Sequence, residues 1–173
     1  KGAEGGSYSA TFTLKEGTLI SPGSRVSLTD QPRTLKVSPL GIPIKSEGES
    51  AGDLRLRRLT AIPFPQGAVR EGDTWSIQMP PEGEEIFEVK GSVKLLALEP
   101  VLGIRAAKVA VTLQEQAAGG ASASASGWVD ASTGLPIKLR AELKKAPFAG
   151  GVTDGSWSMA LQEPTASKPP IRT

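Results

Sequence analysis

Histidine and cysteine are both absent from this chain. Without histidine, the side chain most often used for general acid–base chemistry at neutral pH is missing. A Ser-His-Asp triad, a Cys-His pair and a histidine-based zinc site are thereby excluded within these residues. Without cysteine there is no disulfide and no thiolate metal site, an absence compatible with either side of a membrane. Long apolar runs are missing as well: no segment approaches the roughly 18 consecutive apolar residues of a membrane helix. Nor does one sign of charge dominate. The net charge is +2, with basic and acidic residues interleaved, too mild and too mixed for a nucleic-acid surface.

What the chain has is a period of two. Phe87, Val89, Val93, Leu95 and Ala97 share one parity, with Gly91 between them, and Glu88, Lys90, Ser92 and Lys94 occupy the other. The same comb returns at Leu135, Ile137, Leu139, Ala141 and Leu143, set against Lys138, Arg140, Glu142 and Lys144. Successive side chains of a strand point to opposite faces, so each segment buries one face and wets the other. Parallel strands buried on both faces would read as continuous apolar runs, so the pattern indicates an antiparallel all-β chain. The 20 glycines and 14 prolines punctuate the segments.

Strands are expected over 7–14, at Leu19-Ile20, from Ser24 to Asp30, over 34–37 and over 54–61, with Arg55 and Arg57 opposite Leu54 and Leu56. A parity slip at Arg58-Leu59 suggests a bulge. Further strands are expected at 75–79, 121–130, 135–145 and 154–162. Segments 85–98 and 101–115 form the best hairpin, turning at Glu99-Pro100, with a second bulge near Ala106-Ala107. Residues 38–53 carry Pro39, Gly41, Pro43, Gly48 and Gly52 and read as a long loop. No window supports an amphipathic helix of three turns. About ten or eleven strands in meander order favour a curved sheet, half-barrel or barrel over a Greek-key sandwich. The expected organisation is one β domain over 1–163 and a Pro-rich tail over 164–173; at this length roughly 70% of the unfolded surface can be buried. Gly41-Ile42-Pro43-Ile44-Lys45 and Gly134-Leu135-Pro136-Ile137-Lys138 echo one another, a likeness that ordinary turn-to-strand chemistry accounts for.

Residues that could carry chemistry are scarce. Asp30, Asp53, Asp73, Asp130 and Asp154 all lie beside or close to a turn signal, where aspartate binds nearby backbone amides. Glu82-Gly83-Glu84-Glu85 is the one dense acidic run and reads as a solvated loop rather than a calcium site. A Ser-Lys dyad stays open on composition alone, but no segment resembles a strained nucleophile turn. The expectation is a non-enzyme without cofactor or metal. Trp75 runs with Ile77 and Met79, and Trp157 with Met159 and Leu161, which makes both core residues. Trp128 instead shares its parity with Ser122, Ser124 and Ser126. It lies either exposed or along a concave face, where it could stack a sugar, contact a lipid chain or pack at an edge. The run 117–127 (AAGGASASASG) has almost no bulk, so it leaves space for neighbours or a ligand, or forms a flexible hairpin. Arg55, Arg57 and Arg58 form a basic face, solvated or set against anionic headgroups. Trp128, Ser124, Ser126, Arg55 and Arg57 are therefore the candidate ligand-binding residues.

The segment Trp128-Val129-Asp130-Ala131-Ser132-Thr133-Gly134-Leu135-Pro136-Ile137-Lys138 resembles a hairpin of bacterial envelope proteins of the lipoprotein-carrier type. That group includes periplasmic lipoprotein chaperones, mycobacterial lipid-carrying lipoproteins and sigma-factor regulatory sensors. A second segment, 64–75 (FPQGAVREGDTW), is similar to secreted bacterial β-rich proteins of uncharacterised role. The resemblance implies a curved antiparallel half-barrel whose concave apolar face takes acyl chains, with helices packed on the sheet that the pattern here does not supply. The expected function is a non-enzymatic extracytoplasmic module binding a hydrophobic or lipid-like ligand. The alternatives are a structural or protein-interaction module of the cell envelope and, third, a carbohydrate-binding module. The opening Lys1-Gly2-Ala3-Glu4-Gly5-Gly6 reads as a linker, with any signal peptide or lipid anchor upstream.

Overall fold

The apolar comb becomes a curved, open antiparallel sheet in the computed structural model. The structure describes the backbone of residues 8–13, 17–21, 24–28, 32–148 and 151–160, with side chains from Lys36 onward. The Pro-rich tail expected over 164–173, Asp30 and the opening linker lie outside the described residues. Six strands follow one another as a meander: β6 (Thr74–Met79), β7 (Val89–Val101), β8 (Ile104–Glu115), β9 (Ser122–Asp130), β10 (Pro136–Phe148) and β11 (Gly151–Ala160). The N-terminal strands leave that order. The β2 (Gly17–Ser21) and β3 (Ser24–Leu28) hairpin extends the sheet beyond β11, whereas β1 (Tyr8–Thr13), β4 (Pro32–Val37) and β5 (Pro43–Ile44) form a second, three-stranded sheet. The sheet does not close, so of the expected forms the barrel is corrected to an open curved sheet.

The parity read from the sequence is the burial parity up to Leu95 in β7 and from Ile137 onward in β10; Leu135 is exposed, and Ala97, past the β7 bulge, pairs with Lys108 on the other face. Val89, Val93 and Leu95 of β7, Val109, Val111 and Leu113 of β8, and Ile137, Leu139, Ala141 and Leu143 of β10 are buried on one face. Trp75 and Trp157 pack partly buried against the same core. Two strand glycines on this face allow close approach. A Cβ on Gly91 would sit 1.9 Å from the Thr112 carbonyl oxygen, and one on Gly127 would sit 2.0 Å from that of Lys138. A glycine inside a strand commonly marks such a bend.

Three local expectations are corrected. Residues 54–61 do not form a strand; Ala51–Leu59 is a helix, α1, so the loop expected over 38–53 ends at its cap. Ser50 caps it, accepting from the Asp53 backbone N–H at 3.1 Å while its hydroxyl donates to the Asp53 carboxylate at 2.8 Å. Asp53 in the first turn and Arg57 and Arg58 in the last complement the helix dipole. The parity slip at Arg58-Leu59 is helical spacing: Leu54, Arg58 and Leu59 are the buried positions. The β7–β8 hairpin turns at Leu102-Gly103, not Glu99-Pro100, with Val101 paired to Ile104 and both turn residues at positive φ, 51° and 73°. This is the mirror-type turn that matches strand twist. The bulge expected at Ala106-Ala107 lies on the facing strand, where Leu96 is the extra residue between the Leu95–Val109 and Ala97–Lys108 pairs.

Helix α1 packs on β10 and β5 and covers one end of the apolar face. The low-bulk run 117–127 enters regular strand β9, and Ala121 and Ala123 are buried in one cluster with Leu59, Leu113 and Leu143. Neighbouring side chains therefore take up the space at this end. The other end of the face is roofed by the connector 61–70.

Candidate functional site

Between that connector and the sheet lies a cavity of about 400 Å³. Its floor is the continuation of the core row past the β7 bulge: Leu95, Leu98, Ala107, Val109 and Val129. The extra residue Leu96 shifts the parity of β7, so Leu98 turns inward opposite Ala107. The roof is Ile62, Phe64 and Val69, and Trp75 forms one side. The connector is held by few bonds. Trp75 Nε1 donates to the Pro63 carbonyl at 3.0 Å, and the Phe64 backbone N–H donates to the Leu40 carbonyl at 2.8 Å. The prolines on both sides of Phe64 fix the approach of the chain. A second cleft, about 580 Å³, lies on the far side of Pro63, Phe64 and Trp75, toward Leu40, Ile42 and Gln78.

The turn between β9 and β10 closes the cavity. Asp130 Oδ1 accepts the Ser132 N–H at 2.8 Å, the Ser132 hydroxyl at 2.6 Å and the Thr133 N–H at 3.4 Å. The Ser132 bonds, then those from Thr133, hold the Asp130 carboxyl below its usual range. Gly134 follows at φ 69°, and the Phe64 ring rests where its Cβ would be, 1.8 Å from Cζ. Gly41, its counterpart in the sequence echo, is also at positive φ, 74°, and also meets the Phe64 ring. The two echoed segments thus enter β5 and β10 from glycines that grip one aromatic side chain.

The charged groups of the lining are Arg105 and Asp130. Asp130 is engaged by its own turn. Arg105 stands in the inward row of β8, on the parity of Ala107, Val109, Val111, Leu113 and Glu115, and is exposed. That row carries a charge at each end. Glu115 is fully buried and receives Arg55 Nε at 2.8 Å, Arg55 Nη2 at 2.7 Å and the Ala121 N–H at 2.9 Å. The hydrogen bond to Glu115 outweighs burial and raises the Arg55 pKa further. Arg105 engages no hydrogen bond or ion pair with its side chain among the described residues.

The five candidates from the sequence are not brought together. Ser124, Ser126 and Trp128 lie on the sheet face opposite the cavity. Ser124 is exposed, and Trp128 has its N–H on Glu99 at 2.6 Å and the Lys108 ammonium 5.0 Å from its ring centroid. Arg55 and Arg57 lie on α1, Arg55 paired with Glu115 and stacked 4.8 Å from the Phe87 ring centroid, Arg57 paired with Glu49. Arg58, the third basic residue, is buried, donates to the Pro80 carbonyl at 2.7 Å and has its pKa lowered by desolvation. Asp53, Asp73, Asp130 and Asp154 each accept from a backbone N–H or a hydroxyl close to a turn or bulge. The cavity residues Phe64, Leu98 and Arg105 were not singled out from the sequence. Arg105 had a visible signal, a cation on an otherwise apolar parity.

No family model, curated protein or solved structure matches the chain.

Proposed function

We propose that this chain is a non-enzymatic binding module that takes a hydrophobic or lipid-like ligand between the apolar face of its curved sheet and the 61–70 connector. The observation that carries the reading is the cavity itself. Its volume of about 400 Å³ falls within the roughly 300–1,000 Å³ usual for small-molecule sites, and its walls are dominated by aliphatic and aromatic side chains. Enclosing such surface is favourable at roughly 25 cal/mol per Å² of apolar area removed from water. The turn Asp130–Gly134, in the segment that resembles lipoprotein carriers, is one wall, and α1 supplies a helix on the sheet that the sequence pattern did not. The extracytoplasmic, envelope-associated setting is proposed on the resemblance of residues 128–138 to envelope carriers. Trp128 supports the carbohydrate reading less, because its ring and its N–H are already engaged.

The test is mass spectrometry of organic extracts from purified protein, together with titration of the neutral fluorescent probe phenylnaphthylamine. Co-purified lipid, or saturable probe binding that Ala107→Phe weakens at least about tenfold by filling the floor, is the expected result. A protein that carries no lipid and shows no saturable probe binding overturns the reading.

A further inference from the structure

Arg105 is the feature of the cavity that an apolar ligand alone leaves without a role. Both ends of the inward row of β8 are charged, yet they are treated differently. Glu115 is buried and neutralised by a two-bond contact from Arg55, as a desolvated charge must be. Arg105 lines the mouth of the cavity, exposed to water, with its guanidinium uncommitted among the described residues. The other charged group of the lining among the described residues, the Asp130 carboxylate, has Oδ1 committed to its own turn by bonds from Ser132 and Thr133. The mouth thus carries one charge of each sign, and of the two only the Arg105 guanidinium has no partner among the described residues.

We infer that the occupant is a single-chain amphiphile with an anionic head, whose chain fills the chamber and whose head group pairs with Arg105. This rests on the cavity reading above and adds the ligand class to it. Guanidinium presents a planar fork of donors that matches a carboxylate in two parallel bonds. At roughly 30 Å³ per heavy atom, the share a water takes in the liquid, the space corresponds to about thirteen such atoms, the size of one medium chain. A free fatty carboxylate meets both conditions.

Calorimetric titrations with decanoate, decanol and decyltrimethylammonium, each kept below its micelle concentration, separate head from chain. The wild-type protein binds decanoate about tenfold more tightly than decanol, the scale of one charge-assisted hydrogen bond, and binds the ammonium compound most weakly. Arg105→Met abolishes the preference for decanoate over decanol, and Arg105→Glu reverses the order of the two charged probes. Equal binding of the three probes, unchanged in Arg105→Met, overturns the anionic head while the apolar chamber stands. Absence of binding by all three, decanol included, overturns the chamber and this inference with it. Flotation with vesicles of neutral and anionic phospholipid distinguishes the source: an Arg105-dependent capture of anionic vesicles by a protein that ignores free decanoate overturns the single-chain assignment.

Discussion

Arg55 and Glu115 are 60 residues apart in the chain and meet through two bonds, Nε to Oε1 at 2.8 Å and Nη2 to Oε2 at 2.7 Å. The contact ties α1 to the end of β8, and Glu115 also takes the N–H of Ala121, the residue before β9. Removing one member leaves the other ionised without its partner, and Glu115 has almost no access to water. Glu115→Ala and Arg55→Ala are each expected to lose stability, Arg55→Ala by about 3–5 kcal/mol because it leaves the Glu115 carboxylate buried without its partner, and Glu115→Ala by about 1–3 kcal/mol because it orphans the Ala121 amide. A double-mutant cycle by urea denaturation should return a coupling of at least about 1 kcal/mol. Additive losses would show that the pair is geometric only.

The Phe64 ring over Gly134 joins the cavity roof to the β9–β10 turn. A Cβ at Gly134 has two separate costs: positive φ, and the overlap with the ring at 1.8 Å. Gly134→Ala is expected to lose about 2–4 kcal/mol, the sum of a left-handed penalty and overpacking. In a Phe64→Ala background the overlap is gone, so the same substitution should cost only about 1–2 kcal/mol. Equal costs in the two backgrounds would mean that the ring does not rest on the glycine.

How far the sequence could be read follows from which forces are local. The burial faces of β7 and β10 were legible because a half-buried strand writes its environment at every second residue. Helix α1 was not, because Leu54-Arg55-Leu56-Arg57 alternates over the few residues in which period two and period 3.6 look alike. Its cap, Ser50 with Asp53, was the better signal. The hairpin turn was misplaced because Pro100 is a stronger turn residue than Leu102, yet the strand continues through Pro100, paired with Arg105. Arg55 and Arg57 looked like a solvated basic face, since nothing near them reveals that Glu115 is waiting in the core. The cavity was hidden for a related reason. It exists only because residues 61–70 fold over the sheet and Leu96 turns Leu98 inward, both tertiary outcomes.

Leu102, like Lys145, is a described non-glycine residue at which local preference is overruled. It holds φ 51° at the first position of a turn that favours asparagine or glycine, and its side chain is 52% exposed, so it gains little by burial. Leu102→Asn should therefore stabilise the protein by about 1 kcal/mol. Raised denaturation midpoints with an unchanged urea slope would be the signature. A loss of stability would indicate that Leu102 is covered by another surface.

Asp130 gives the turn beside the cavity a pH dependence whose sign can be worked out. Its folded-state pKa is depressed, first by the bonds from Ser132 and then by those from Thr133. A depressed carboxyl contributes stability that is fully present above the unfolded value of about 3.9 and is lost as pH falls through the folded value. Asparagine keeps an oxygen for the same donors but carries no charge to protonate. The melting-temperature difference between wild type and Asp130→Asn should thus be largest near neutrality and shrink below about pH 4. The same acidification should weaken phenylnaphthylamine binding more in wild type than in Asp130→Asn, because residues 130–134 wall the cavity. A difference in melting temperature that stays constant down to acid pH would remove Asp130 as the titrating support of that wall.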